Sequence, residues 1–301
     1  MTPRIGPLLI LACATLWLGL AAPANATRTV EPAPPERIAL IIGNSAYARL
    51  PLRNPVNDAR AVSGALRELG FDVIQRENAT YAGMIDAMRD FLDRAATSQV
   101  RVIYFAGHGA QYRGRNYLIP VDALLRSEED LLHKAANASD LVDKLAQHRS
   151  GVNVVILDAC RDAAYPLLAK TRNPNMARTV QPGFADGPRP PQGTLIAFST
   201  APGSVALDGP GSHSAYTRHL LTQISEPGLP IEHMFKRIRD GVVRDTGQKQ
   251  IPWESSSLVG DFCFRLTAEG ACPAAALPSS WISREPVLPI AHAGRASAST
   301  R

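Results

Sequence analysis

Apolar runs of strand length alternate with stretches of helical periodicity along most of this chain. The continuous apolar runs, which predict buried strands, are RIALIIG, FDVIQ, VRVIYFAGHG, GVNVVILDAC, GTLIAFST and SSLVGDFCF. The stretches with apolar residues at helical spacing are NPVNDARAVSGALRELG, the stretch from Thr80 through Leu92, SDLVDKLAQH, SAYTRHLLTQI and IEHMFKRIRDGVVRD. Buried strands separated by helices predict an α/β fold with a mostly parallel central sheet of about six strands and helices on both faces.

Capping residues predict where several of these helices begin and end. Asn54 and Pro55 suit the N-cap and first position of the first helix, and Gly70 suits its C-terminal end. Thr80 and Ser139 are predicted as the caps of the next two helices.

The N-terminus has the features of an export signal. Arg4 precedes the apolar stretch LLILACATLWLGLAA, and ANA ending at Ala26 is a small-x-small cleavage site. The sequence therefore predicts a signal peptide at 1–26 and a periplasmic or secreted protein. The apolar stretch is shorter than the roughly 20 residues of a membrane span, although an uncleaved anchor remains an alternative. Lipidation at Cys13 is another.

Composition shifts divide the rest of the chain. A Pro-rich linker is expected at 27–36, followed by one domain at 37–265 and a disordered tail at 266–301. Within the domain, residues 163–193 are rich in Pro, Arg, Gly and Asn without periodicity and predict a long loop. This loop contains Lys170, Arg172, Arg178 and Arg189.

Charge argues against one class of partner. The 301 residues carry a formal net charge of +5, but the Lys and Arg residues are scattered rather than clustered. Surfaces that bind nucleic acid usually concentrate their basic residues. We therefore expect no nucleic-acid partner.

Three cysteines remain after the predicted signal peptide. Cys263 and Cys272 are close enough in sequence to close a small loop, so they are the candidate disulfide of an exported protein. Cys160 is then unpaired, which makes it either a reactive thiol or a buried inert one.

Two strand ends carry residues capable of chemistry. Ligands of parallel sheets bind beyond the carboxyl ends of the strands, and here those ends present His108 in GHG and Cys160 in DAC. A cysteine with a histidine is the minimal pair of nucleophile and base. The N–H groups of Gly109 and Cys160 are the expected oxyanion donors, since Gly109 has no side chain to block a close approach.

These residues resemble the caspase-type cysteine peptidases in the wide sense that includes paracaspases and metacaspases. The caspase cysteine follows its histidine by about 50 residues, and here His108 lies 52 residues before Cys160. The segment FSTAPG at 198–203 resembles a strand end of the small subunit in caspases. Over 37–265, the resemblance implies a three-layer α/β sandwich and a His108 and Cys160 dyad. It also implies a large-subunit-like region at 37–162, a linker loop at 163–193 and a small-subunit-like region at 194–265.

The residues that select substrate differ from those of caspases, which bind aspartate through arginines and a glutamine. Paracaspases and metacaspases have acidic pockets and cleave after Arg or Lys, and the paracaspase pattern falls on Asp58, Asp158 and Asp208. The resemblance therefore implies protein or peptide substrates with basic residues. Arg53, near a position where caspases have a pocket arginine, keeps cleavage after aspartate as an alternative.

Asp158 has a physical consequence that does not depend on the resemblance. Residues i and i+2 of a strand share a face, so Asp158 and Cys160 are expected about 7 Å apart. At an effective dielectric near 20, the carboxylate disfavours the thiolate by about 2 kcal/mol. A cationic substrate side chain would offset this penalty, and we expect substrate binding and thiol activation to be coupled in this way.

Each of these assignments has a structural alternative. Asp58 suits the first turn of a helix, and Asp208 in its Gly-rich loop suits a turn. A caspase fold can also serve as a binding module without turnover, or as a transpeptidase. The SEED cluster at 127–130 lacks the alternating spacing of a calcium loop, so calcium dependence stays open and no cofactor is expected. No metal site is predicted, because metal-ligand spacing is absent from the remaining histidines, His133, His148, His213, His219, His233 and His292.

Overall fold

A computed structural model of the chain describes residues 37–148, 150–160, 190–201 and 211–273. Within these ranges, every helix is too short or too polar to cross a membrane. The expected signal peptide and linker, most of the loop at 163–193, and residues 274–301 lie outside the described residues.

The described chain consists of eight strands and six helices, and strands and helices alternate over most of it. The strands are β1 (Arg37–Gly43), β2 (Asp72–Glu77), β3 (Val100–Tyr112), β4 (Arg115–Leu118), β5 (Ala136–Asn137), β6 (Val152–Cys160), β7 (Thr194–Phe198) and β8 (Trp253–Ser256). The helices are α1 (Pro55–Glu68), α2 (Tyr81–Ala95), α3 (Leu131–Lys134), α4 (Ala138–Leu145), α5 (Ala215–Ile224) and α6 (Ile231–Asp245).

The strands form one mostly parallel sheet, as the apolar runs predicted. Its main order is β2-β1-β3-β6-β7-β8, and of these six strands β8 is the antiparallel one. The far end of β3 extends past the sheet and pairs antiparallel with β4, which pairs in turn with β5. Because β3 and β6 lie side by side at the centre, their carboxyl ends meet at one edge.

Helices cover both faces of the sheet and make it a three-layer sandwich. On one face, α1, α5 and α6 pack on alternate strand residues such as Val102, Tyr104, Val154 and Ile156. On the other face, α2 and α4 pack on the intervening strand residues. Both faces of the strands are therefore buried, which explains why their sequences are apolar throughout instead of alternating.

The predicted helix starts agree with the structure except in the details of capping. Thr80 caps α2 by accepting a hydrogen bond from the Gly83 N–H. Asn54 occupies the N-cap of α1, but its side chain makes no capping bond. The prediction for Ser139 was wrong: Asn137 caps α4, and the Ser139 hydroxyl accepts from the Asn116 N–H of β4. The cap shifted because β5 ends at Asn137, directly before the helix.

The last strand also differs from the prediction. The sequence placed it at SSLVGDFCF, whereas β8 covers Trp253–Ser256 and Gly260 has a left-handed backbone with φ of +94°. Phe262 and Phe264 are buried against the α1, α5 and α6 layer, but this stretch forms only single β-bridges. The apolar pattern therefore predicted the burial of Phe262 and Phe264 correctly, but it was wrong in predicting that this stretch is a strand.

A disulfide extends the ordered chain past residue 265. Cys263 and Cys272, the pair expected from spacing, are joined with a Cα–Cα distance of 5.6 Å. Between them, the Thr267 N–H donates to the Ala271 carbonyl and closes a turn. Residues 266–273 are thus described together with the domain to which this disulfide ties them.

A buried arginine joins the amino end of the sheet to a helix. The Arg101 side chain is nearly inaccessible and donates to the Ala95 and Ser150 carbonyls, at 2.7 and 3.0 Å, and to Asn153 Oδ1 at 3.3 Å. Burial lowers the pKa of Arg101. Its three acceptors would lose their donor if the guanidinium were removed.

We therefore expect Arg101→Met to lower the free energy of unfolding by about 2 to 4 kcal/mol, measured by urea denaturation. Arg89→Met is the matched control, because Arg89 is an exposed residue of α2 whose ion-pair partner within the described part of the chain is Asp86. That variant should change stability by less than about 0.5 kcal/mol. Equal effects of the two substitutions would show that the Arg101 hydrogen bonds do not stabilise the fold.

Candidate active site

The two residues that the sequence selected are paired in register at the end of the central strands. His108 of β3 and Cys160 of β6 are the last matched pair of this parallel ladder. Adjacent strands lie about 4.8 Å apart, so the two backbones are direct neighbours. The structure therefore brings the histidine and cysteine positions together, as the strand-end argument required.

The imidazole of His108 is buried and held by the segment between β1 and α1. Its Nε2 lies 2.7 Å from the Leu50 carbonyl oxygen, and its ring lies 4.3 Å from the Tyr47 ring. The Tyr47 hydroxyl accepts from the His108 N–H and donates to the Ile119 carbonyl. A carbonyl can only accept, so Nε2 carries the proton and Nδ1 is the basic nitrogen of the neutral ring.

Gly107 makes this close approach possible. A Cβ at Gly107 would lie 2.6 Å from the Tyr47 hydroxyl oxygen and 2.9 Å from the Phe105 ring. Any side chain at this position would push Tyr47 away from His108. Gly109, the expected oxyanion donor, follows in β3 and is paired with Leu118 of β4.

Asp58 and Asp158 meet at Ser214, the N-cap of α5. Both carboxylates are buried, with exposed fractions of 1% for Asp58 and 7% for Asp158. Asp58 accepts from the Ser214 N–H at 3.2 Å, and Asp158 accepts from the Ser214 hydroxyl at 2.6 Å. One residue thus contacts both of the acids that the family resemblance had selected.

Local structure explains why both acids reach this point. Asp58 lies in the first turn of α1, and a Cβ on Gly43 at the end of β1 would overlap the Pro55 carbonyl, so α1 packs very closely on β1. Asp158 lies two residues before the end of β6. The positive ends of the α1 and α5 dipoles stabilise carboxylates at this edge, which reduces the cost of burying them.

The hydroxyl groups of Thr217 and Tyr104 form a hydrogen-bonded chain that ends on Asp158. The Thr217 hydroxyl donates to Asp158 at 2.9 Å, and the buried Tyr104 hydroxyl lies 2.6 Å from the Thr217 oxygen. Because Thr217 uses its proton on Asp158, Tyr104 is the donor in the second bond. Burial, and after it the charges of Asp158 and Asp58, raises the pKa of Tyr104 well above its usual range. The negative charges of both acids therefore reach the Tyr104 hydroxyl.

Sequence reasoning missed three members of this site. Ser214 and Thr217 were treated only as parts of a helix, and His213 was considered only as a metal ligand and excluded. The structure places His213 Nδ1 2.8 Å from Asp58, with its side chain 27% exposed. The available signal for Ser214 was its place at the start of the helical stretch SAYTRHLLTQI, where serine is a favoured N-cap.

The remaining candidates are Asp208, Arg53 and the SEED cluster. Asp208 falls outside the described residues, so its pocket role stays a prediction, and Arg53 is exposed just before α1. Asp130 of the SEED cluster is held by its own segment, and Lys134 with the backbone of Arg126 and Ser127 lowers its pKa to about 2. Across the described ranges, no group of three or more His, Cys, Asp or Glu side chains is arranged to hold a metal ion.

This combination of fold and site defines a class: a three-layer α/β protein with a histidine and a cysteine paired at the carboxyl edge of its sheet. Comparison with known proteins identifies the family to which the chain belongs. The Caspase domain family matches residues 36–263, and the chain belongs to that family of cysteine peptidases, which act on protein substrates.

Individual relatives agree with this assignment. The chain is 32% identical over 142 residues to the mouse mucosa-associated lymphoid tissue lymphoma translocation protein 1 homolog, across 46% of this chain and 16% of that protein. The human protein of that name is 32% identical over 143 residues, across 46% and 17%. Cell death protein 3 of Caenorhabditis remanei is 28% identical over 141 residues, across 44% and 26%. The matched segments thus span about a quarter or less of each relative.

Proposed function

We propose that the chain is a cysteine endopeptidase that cleaves peptide bonds after Arg or Lys, with Cys160 as the nucleophile and His108 as its base. The observation that carries this proposal is the pair of buried carboxylates, Asp58 and Asp158, joined through Ser214 at the edge where His108 and Cys160 are in register. A guanidinium or ammonium group is the natural ligand of two adjacent carboxylates.

The proposed chemistry follows from the geometry of the histidine. Nδ1 of His108 takes the thiol proton of Cys160 as the sulfur attacks the carbonyl carbon, since Nε2 is occupied by its bond to Leu50. The N–H groups of Gly109 and Cys160 stabilise the oxyanion. Collapse expels the amine, which takes the proton back from His108, and water then hydrolyses the thioester.

Asp158 supports the proposed coupling between substrate and nucleophile. Its carboxylate lies two residues from Cys160 and is held in place by Ser214 and Thr217. A fixed negative charge there opposes thiolate formation until a substrate cation neutralises it. The thiol would then become reactive mainly when a basic side chain fills the pocket.

The similarity to known proteins supports the peptidase assignment, and the disulfide supports export. The chain is related both to a paracaspase, the lymphoma translocation protein, and to caspases. Export to an oxidising compartment is supported by the Cys263–Cys272 disulfide, since such bonds are rare in reducing compartments.

A set of fluorogenic peptides that differ only in the residue before the scissile bond tests the specificity. Arg and Lys peptides should be cleaved at least about 100-fold faster than Asp and citrulline peptides, because only the first two place a cation between the acids. Preference for Asp would support the alternative suggested by Arg53. No cleavage of any peptide by a folded protein that still binds them would support a binding module.

Tyr104 offers a test of how Asp158 is positioned. Tyr104→Phe removes the donor to Thr217, so we expect KM for an Arg peptide to rise about 3-fold to 10-fold with a smaller change in kcat. Tyr216→Phe is the matched control: Tyr216 is equally buried in the same layer, and its hydroxyl makes no hydrogen bond to the described residues. If both variants raise KM alike, the hydroxyl chain has no positioning role.

A further inference from the structure

A cavity of about 240 Å³ is lined in part by residues that are hydrogen-bonded to the backbone of His108. Its lining residues come from two parts of the chain, Tyr47–Arg49 between β1 and α1, and Ile119, Val121 and Ala123–Arg126 after β4. Tyr47 contacts the His108 ring and bonds its N–H, and the Ile119 N–H donates to the His108 carbonyl. The cavity shares no lining residue with the acidic pair or with Ser214.

The proposed reaction indicates which part of a substrate lies near this cavity. His108 protonates the leaving amine, so the part of the substrate that follows the scissile bond must pass over the histidine. An extended peptide advances about 3.3 Å per residue, and the Tyr47 ring lies 4.3 Å from the His108 ring. The first or second residue after the scissile bond is therefore the part of the substrate that we expect nearest to the cavity.

The charged side chains that line the cavity are both cationic. They are the exposed residues Arg49 and Arg126, neither of which has an ion-pair partner among the side chains that the structure describes. The nearby acids have other partners: Asp130 pairs with Lys134 and accepts from the Arg126 backbone N–H at 2.6 Å, and Glu129 accepts from Tyr112. Glu128, Glu129 and Asp130 are absent from the lining.

A second cavity of about 440 Å³ shares Ala123, Leu124 and Arg126 with the first. It adds His133, Lys134 and Asp122, but Lys134 is paired with Asp130 and Asp122 accepts from the Tyr81 N–H, so the cationic side chain that this cavity contributes is Arg126. Leu124, 61% exposed, lies between the two cavities and offers an apolar contact. This surface has charge opposite to that of the pocket formed by Asp58 and Asp158.

We infer that this cavity is a binding subsite for an acidic residue at the first or second position after the scissile bond, with Arg49 and Arg126 as its specificity-determining residues. This inference rests on the proposed peptidase function. It extends the substrate class from a basic residue to a basic residue followed closely by an acidic one, with opposite charges bound on the two sides of the dyad.

The test uses internally quenched peptides that share one sequence and an Arg before the scissile bond, but carry Glu, Gln or Lys at each of the next two positions in turn. We expect kcat/KM for the best Glu peptide to exceed that for its Gln counterpart about 5-fold or more, since two exposed guanidinium groups are involved. The Lys peptide should be the poorest, and the Glu preference should shrink in 0.5 M salt. In Arg49→Gln and Arg126→Gln the Glu to Gln ratio should fall toward one, while the exposed control Arg89→Gln keeps the parent ratio.

A coumarin amide of arginine, which has no residue after the scissile bond, separates the two ideas. If the parent enzyme cleaves this reporter but shows equal rates for Glu and Gln peptides, the subsite is wrong and the peptidase function stands. A Glu preference that survives both arginine substitutions would equally overturn the assignment to this cavity. Failure to cleave the reporter and all peptides would contradict the peptidase function, and the subsite with it.

Discussion

Replacing Cys160 with alanine is expected to lower kcat/KM for an Arg peptide by at least about 10³-fold, because the acyl-enzyme of the proposed mechanism forms on the Cys160 sulfur. His108→Ala should lose a comparable factor, since the thiol would then lack both its base and the acid that protonates the leaving amine. The double variant should be little worse than either single one, because the two residues act as a unit in the proposed mechanism.

Folding controls accompany this prediction. His108 bonds Leu50 and its backbone bonds Tyr47, so His108→Ala could loosen the segment between β1 and α1. Thermal unfolding of each variant separates this effect from lost chemistry, and Cys160→Ser provides a nearly isosteric comparison. A folded Cys160→Ala protein that kept a tenth of the parent activity would show that the cysteine is not the nucleophile.

The second large effect is expected at Asp158. Asp158→Asn keeps the shape and an oxygen that accepts from Ser214 and Thr217, but it removes the buried charge. For an Arg peptide we expect kcat/KM to fall about 10²-fold to 10³-fold, the range for loss of a buried charge from an ion pair. For a citrulline peptide, the neutral analogue, the rate should hold or rise because the penalty of about 2 kcal/mol on the thiolate is removed.

Two comparisons make this result specific to the pocket. Asp58→Asn should also lower the preference for arginine over citrulline, and its effect should couple to that of Asp158→Asn, because both carboxylates contact Ser214. Asp86→Asn, an exposed acid paired with Arg89, should leave the preference unchanged. An Asp158→Ala or Asp158→Asn enzyme that cleaved the Arg peptide as well as the parent would show that Asp158 does not bind the substrate.

The sequence was informative wherever one strand or one helix determined the outcome. Cys160 and His108 could be placed at neighbouring strand ends because parallel strands share a carboxyl edge. Asp58 could be assigned to a first helical turn, yet its pocket role depended on the family resemblance. Nothing in the local pattern says that α1 and α5 bring their N-termini together.

The missed features depend on contacts between distant segments. Ser214 and Asp158 are 56 residues apart in sequence, and His213 and Asp58 are 155 apart. Single-sequence periodicity carries no information on such pairs. The shift of the last strand has a similar origin, since Phe262 and Phe264 satisfy their need for burial by packing against helices instead of pairing in the sheet.

Labelling of Cys160 is the most direct test that Cys160 is the nucleophile beside an acidic pocket. One reaction reports the identity of the nucleophile, its activation by His108 and the charge of the pocket. The protein is treated with a peptide chloromethyl ketone ending in arginine or in citrulline, and the adduct is located by mass spectrometry of the intact chain and its peptides. We expect a single adduct on Cys160 that forms at least about 10-fold faster with the arginine reagent, and no adduct in His108→Ala. Equal rates with the two reagents, or an unmodified Cys160, would contradict it.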